Sequence, residues 1–141
     1  MQSEEEERLR DQRALRAEQR RMEQLFASSL EGVVLLDAKG RILRVNRSFC
    51  DLFGFASLGE VVGKELDVLV SMGDKYAEAS EITARILRGE KVAVEVLRYR
   101  TDGRPLYVDL LGTLILPEEP EGDLEYYVIY RDISERKRAE E

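Results

Sequence analysis

Apolar and polar positions change rhythm several times along the chain, and each change marks a boundary. From Ser3 to Phe26 there is neither Gly nor Pro, and Glu, Arg, Gln, Ala and Leu dominate, a composition of strong helix formers. Apolar positions are sparse at Leu9 and Leu15 and gather at Met22, Leu25 and Phe26. Spacings of three and four place an apolar stripe on the last turns only, so the early turns need a partner helix or fray. Glu31-Gly32 ends this helix. Val33-Val-Leu-Leu-Asp37, the turn Ala38-Lys-Gly40 and Arg41-Ile-Leu-Arg-Val-Asn46 then read as a β-hairpin.

Asn46 stands where its side-chain carbonyl can accept from the free amides of a helix beginning at Arg47. Phe49, Leu52 and Phe53 supply that helix's buried face and Gly54 stops it. Ser57 to Val70 holds two small amphipathic pieces separated by Gly63. After Gly73-Asp74, the residues Tyr76, Ala79, Ile82, Thr83, Ile86 and Leu87 recur at helical spacing up to about Arg88, with Gly89 as the stop. Three longer strands follow: Lys91 to Thr101, Arg104 to Leu116 beyond the turn Asp102-Gly103, and Leu124 to Arg131 beyond an acidic loop. Runs of strands segregated from runs of helices predict α+β with an antiparallel sheet.

The chain has 141 residues, and about 100 remain for a core once the polar ends are set aside. One compact domain is expected: an entry helix over 1–29, a folded body over 30–133 and the start of an exit helix over 134–141. The longest apolar runs fall far short of the ~18 residues a membrane span needs, so no membrane insertion by this segment is expected. A formal net charge of −7 argues against nucleic-acid binding, which concentrates Lys and Arg on one surface. The arginines from Arg8 to Arg21 are interleaved with Glu and Asp, which reads as a solvated helix face.

Histidine is absent. That removes the usual general base, the commonest metal ligand, a histidine-ligated haem and a phospho-accepting histidine. A single cysteine, Cys50, and no charged-then-apolar leader make a cytoplasmic location the default. Ser28, Ser29, Ser48 and Ser71 lack a histidine base, no Walker-type phosphate loop is present, and Glu118-Glu119 fall in the acidic surface loop. The chain reads as a non-enzyme.

Four fragments carry a family resemblance: Gly32-Val-Val-Leu-Leu-Asp-Ala-Lys-Gly-Arg-Ile-Leu-Arg-Val-Asn46, Phe49-Cys-Asp-Leu-Phe-Gly-Phe55, Arg100-Thr-Asp-Gly-Arg-Pro-Leu-Tyr-Val108 and Tyr130-Arg-Asp-Ile-Ser-Glu-Arg-Lys137. In this order and spacing the chain resembles a PAS domain, the small sensor fold of bacterial and eukaryotic signalling proteins, two-component systems among them. The resemblance implies a five-stranded antiparallel sheet with the first two strands in its middle. Short helices cover its concave face over a pocket, and an amphipathic entry helix on the outer face pairs with a second subunit. It further implies that Asp132, at the head of Asp132-Ile133-Ser134, pairs with a basic group in the core and ties the exit helix to the sheet.

Aligned on the family's turn and ending, strand alternation puts Val34, Leu36, Val94, Val96, Arg98, Val108, Leu110, Gly112, Leu114, Val128 and Tyr130 on the inner face. Tyr76 and Met72 face them from the helices. Arg98 and Tyr130 are the polar exceptions. Either they orient the polar or anionic end of a small, largely apolar ligand, or Arg98 reaches the rim or a carboxylate while Tyr130 fills core, the commoner fate of such side chains. No cofactor is expected. The light-oxygen-voltage branch of the family uses Asn-Cys-Arg-Phe where this chain has Gly63-Lys-Glu-Leu-Asp-Val68, and the photoactive-yellow-protein branch attaches its chromophore to a cysteine beyond this region. Cys50 could ligate haem only as a thiolate, and a lone cysteine on an apolar helix face is more often core.

Two functions remain open. One is a ligand-responsive sensor whose exit strand, Tyr126 to Arg131, passes a change through Asp132 to a following effector such as a kinase or cyclic-dinucleotide enzyme. A helical pattern still running at Ala139-Glu-Glu supports a following domain. The other is a ligand-free dimerisation and relay module. It is favoured by the outer-face residues Leu97, Tyr99, Tyr107, Leu111, Ile115, Tyr127 and Ile129, a large apolar surface to leave wet, with Met22, Leu25 and Phe26 of the same chain or of the other subunit as the expected cover. A homodimer is expected under both.

Overall fold

The computed structural model describes residues 3–117, 119 and 122–140. The entry helix α1 spans Glu4–Ser28, with the Ser3 side chain accepting from the Glu6 amide at its start. Strands β1 (Gly32–Leu36) and β2 (Ile42–Val45) form the first hairpin. Helix α2 (Arg47–Phe53) starts at Asn46, whose Oδ1 accepts from the Phe49 amide, and ends at Gly54, φ +92°, a conformation that favours a residue without Cβ. A 3₁₀ turn at Leu58–Glu60, helix α3 (Leu66–Ser71) and helix α4 (Tyr76–Leu87) precede β3 (Val92–Tyr99), β4 (Pro105–Ile115), β5 (Glu125–Asp132) and the exit helix α5 (Ser134–Glu140).

The five strands form one antiparallel sheet in the order β2-β1-β5-β4-β3. This corrects the expectation that the first two strands lie in the middle: β5 is central, with β1 and β4 on either side. β2 is an edge strand, and its free side is met by the chain before α3. The Ile42 amide donates to the Lys64 carbonyl and the Gly63 amide to the Ile42 carbonyl. Those bonds occupy the edge that another strand would need.

Even-numbered positions of β3, β4 and β5 face the helices and pack with Phe49, Phe53, Val61, Leu66, Val70 and Ile86 into one core. The closest approach is at Gly112 on β4, where a Cβ would come within 2.9 Å of Ile86 Cγ1. Phe49, Phe53 and Tyr130 form an aromatic group, with Phe53 edge-on to Tyr130 at 5.2 Å between centroids, a favoured arrangement of ring quadrupoles.

Asn46 is buried and ties four segments together. Its Oδ1 also accepts from the Val33 amide, and its Nδ2 donates to the carbonyls of Phe26 and Glu31. The end of α1, the linker, β1 and α2 therefore share one amide with every donor and acceptor used. Beyond this anchor α1 projects from the body and buries none of its residues.

Candidate functional site

Arg98 is the largest fully buried side chain, at 1% exposure. It comes from the inner face of β3, and the helices above it bring further polar groups: Asp67 and Ser71 one turn apart on α3, and Glu78 and Thr83 on α4. Tyr130 joins them from β5. A buried guanidinium is costly unless its donors are met, and Arg98 is met on one side only. Its Nη1 donates to the Leu97 carbonyl at 2.8 Å and to Glu78 Oε1 at 3.1 Å. Nε is buried with no partner among the described residues, and so is the Ser71 hydroxyl.

Asp67 accepts from the Thr83 hydroxyl at 2.7 Å. Burial pushes its carboxyl up to about 6; the Thr83 bond opposes this, Glu65 adds to it and the charge of Arg98 opposes it. Burial likewise raises the Tyr130 phenol, against the pull of Arg98 and with a small push from Asp67. The cluster is thus electrostatically connected. Sequence reasoning singled out Arg98 and Tyr130 but not Asp67, Ser71, Thr83 or Glu78. The available signal lay in Leu66-Asp-Val-Leu-Val-Ser71, where Leu66, Asp67, Val70 and Ser71 share one helix face and all four are buried.

Of the other inward candidates, Val34, Leu36, Val108, Leu110 and Val128 are buried, and Val94, Val96 and Leu114 are half-buried against the same core. They pack with one another and with the helices in one core. Met72 and Tyr76 are not part of this group. Met72 ends α3 at φ +52° and is 54% exposed, because the left-handed turn swings its side chain outward. Tyr76, the first residue of α4, is exposed and donates its hydroxyl to Glu65 Oε1 at 2.5 Å. Cys50 is buried within the core, and burial raises its thiol, which disfavours the thiolate a metal ligand requires.

At the exit, Asp132 is exposed and its Oδ1 accepts from the Ser134 amide at 2.8 Å, so it caps the turn into α5. This corrects the expected pairing with a basic core group. Ile133 is buried and its amide donates to the Tyr107 carbonyl at 2.9 Å. Glu95, on the outer face of β3, pairs with Arg136 and Lys137 of α5. The neighbouring Arg131 pairs with Asp109.

The outer face is partly bare. Leu97, Tyr99, Leu111, Ile115, Tyr127 and Ile129 are half-buried, and Tyr107 is exposed. Between them a groove of ≈ 420 Å³ is lined by Glu31, Ala93, Glu95, Asp109, Leu111, Ile129 and Arg131, among others. The expected cover by α1 of the same chain is not there: Met22 and Leu25 are exposed, and Phe26 lies under the Arg44 guanidinium at 4.5 Å. Glu119 in the acidic loop is exposed, and Glu118 lies outside the described residues. Among the described residues no group of three or more Cys, Asp or Glu is placed to hold a metal ion, and no helix is long and apolar enough to cross a membrane.

Residues 30–135 match the family model for the PAS domain. Among solved structures, the PAS domain of an HTR-like protein from Haloarcula marismortui is 30% identical, with a TM-score of 0.70 over 88% of this chain and 98% of that one. A domain of the sensory box sensor histidine kinase/response regulator from Geobacter sulfurreducens is 28% identical, with a TM-score of 0.68 over 84% of this chain and 96% of that one. The Rhodobacter sphaeroides LOV protein shares the fold at 18% identity and a TM-score of 0.67, covering 86% and 71% of the two chains. None of the curated proteins compared with the chain matches it.

Proposed function

Because the chain belongs to the PAS domain family, a type of sensor module found in signal-transduction proteins, we propose that it is a non-enzymatic, cytoplasmic relay responding to a small ligand at the Arg98 cluster. In this reading residues 1–29 are the entry helix, 30–133 the sensing body and 134–141 the start of the output helix. The observation that carries it is the guanidinium of Arg98, buried in the core with its Nε unpartnered among the described residues, beside a tyrosine on the strand that leads out of the domain. A new contact at Arg98 alters the field at Tyr130, and β5 runs from Tyr130 to Asp132 within two residues. The ion pairs of Glu95 with Arg136 and Lys137 then register any shift of α5 against the sheet. A fused effector, a kinase or a cyclic-dinucleotide enzyme, receives that shift. Neither flavin nor haem has a place in this reading.

A second reading has its own support. The inward faces of the strands meet packed side chains, and α1 leaves Leu15, Met22 and Leu25 exposed; seven- and three-residue spacing places these on one side of the helix. A ligand-free homodimer that relays motion between its flanking helices fits those features. Both readings send their output through the exit junction, and one variant tests it. Asp132→Ala, in the chain fused to its effector, removes the bond to the Ser134 amide; it abolishes input-dependent output while circular dichroism stays native. An unaltered response rejects the junction's role.

A further inference from the structure

Asp67 is a carboxyl group set where its charged form is poorly served. It is buried on α3, and among the described residues its carboxyl accepts one hydrogen bond, from the Thr83 hydroxyl of α4 at 2.7 Å. A buried carboxylate needs a cation or several donors to replace lost water. Thr83 is buried too, so this bond is sealed from solvent. Among the described residues it is the one buried side-chain bond between α3 and α4. Burial raises the carboxyl to about 6; the Thr83 bond and the Arg98 charge on β3 pull against it, and Glu65 at the head of α3 adds to it. The other groups nearby do not titrate with it. The bond to Glu65 raises the Tyr76 phenol of α4 and burial raises that of Tyr130 on β5, while Glu78 of α4 is turned to Arg98.

The backbone of α3 is fastened at one end and loose at the other. At its head the Leu66 amide donates to the Gly40 carbonyl, and Gly63 and Lys64 are bonded to Ile42 on the edge strand β2. At its tail Met72 and Gly73 take φ +52° and +75° in succession, a region that costs a residue with a Cβ. A Cβ on Gly73 would meet nothing within 4 Å, so the corner has room to move. The bonds that cross it, Tyr99 hydroxyl to Asp74 and Tyr76 hydroxyl to Glu65, are exposed and of small net value in water. Beneath, α3 packs on β3, the strand whose Glu95 holds Arg136 and Lys137 of α5.

We propose that the Asp67–Thr83 bond is a proton-operated latch. With the carboxyl protonated, α3 is held against α4; ionisation releases its tail, which swings outward about the anchor on β2 until water reaches the carboxylate. The inference goes beyond the ligand reading, because the proton is an input of its own and needs no molecule at Arg98. Acidification closes the latch and alkalinity opens it.

The test uses the full chain. Carbon-detected NMR follows the Asp67 carboxyl across the range from about pH 4 to pH 8. Hydrogen exchange, corrected for the intrinsic effect of pH on amides, follows α3 against β5. The carboxyl is expected to titrate near 6 and, once α3 lifts, to return towards its ordinary 3.8. Opening therefore becomes about tenfold more favourable between about pH 5 and pH 7.5, and the α3 amides lose protection by that factor while remaining less protected than those of β5. Asp67→Asn keeps an acceptor for Thr83 and abolishes the pH dependence. Thr83→Val, equal in shape but without the hydroxyl, raises the midpoint of the Asp67 titration. A midpoint below about 5, one indifferent to Thr83→Val, or α3 amides that open only together with β5 overturns the proposal. The wild-type chain and Thr83→Val decide the matter even if Asp67→Asn does not fold. None of these outcomes bears on the exit junction, which Asp132→Ala tests.

Discussion

The two faces of the sheet share the same strands and differ in almost everything else. Inward, β3, β4 and β5 present Val92, Leu106, Val108, Leu110, Tyr126, Val128 and Tyr130, all buried against α2, α3 and α4. Outward, the alternate positions Leu97, Leu111, Ile115 and Ile129 are half-covered, and Leu111 and Ile129 line an open groove. The charges follow the same division. Arg98 is confined in the core with one unmet donor among the described residues, whereas Glu95, three residues earlier and on the other face, holds Arg136 and Lys137 in water. Period-two alternation therefore fixes which side chains share a face, while the load each face bears depends on what packs over it.

Substitutions can break that contrast, most severely at Gly112. Valine there drives its side chain into Ile86, and overpacking of this kind should cost about 3 kcal/mol, read as a fall in the urea midpoint with unchanged slope. A loss below about 1 kcal/mol would mean that α4 floats over the sheet. Next comes Asp67. Its folded value, about 6, lies above the ordinary 3.8, so the folded chain holds the proton more tightly than the unfolded one. That contribution is complete below pH ~4 and is lost as pH rises through ~6. Asp67→Asn, which keeps an acceptor for Thr83, should stabilise by about 1–2 kcal/mol at pH 7.5 and by almost nothing at pH 4; thermal melts at both pH values check the difference. On the outer face the effects shrink. Leu111→Ser should cost about 1 kcal/mol or less, and Glu95→Gln about 0.5 kcal/mol or less, with the loss vanishing in ~1 M salt.

Much of the fold was legible because local signals agreed with one another. Asn46 before Arg47 and Gly54 after Phe53 mark a helix at both ends, and the strands of the second half differ from their expected limits by one or two residues. The order of strands was not legible, since pairing β1 with β5 depends on contacts about a hundred residues apart. The site was half legible. Arg98 and Tyr130 stand out from aliphatic strands by alternation, but Asp67, Ser71, Thr83 and Glu78 occupy short helices in which a polar residue reads as surface. Met72 and Tyr76 misled for the converse reason: apolar residues near a helix end follow the turn that the backbone takes, and at φ +52° that turn leads outward. Asp132 caps locally because its side chain reaches the amide two residues on, a bond available to any Asp before a helix.

Asn46 also sets the mechanics of the entry side. Its four hydrogen bonds clamp the last turn of α1 to the hairpin and α2, while the helix beyond buries none of its residues and meets the body at the exposed Glu23–Arg44 ion pair. Twenty-five residues of helix make a rigid arm about 37 Å long. A reorientation of about 5° at that pivot swings the far end through roughly 3 Å over this length. Run in reverse, a displacement of several ångströms applied to the first turn is geared down to a few tenths of an ångström at the hairpin. The same carboxamide is thus a fulcrum, and the domain exchanges large, weak movements at its entrance for small, stiff ones inside.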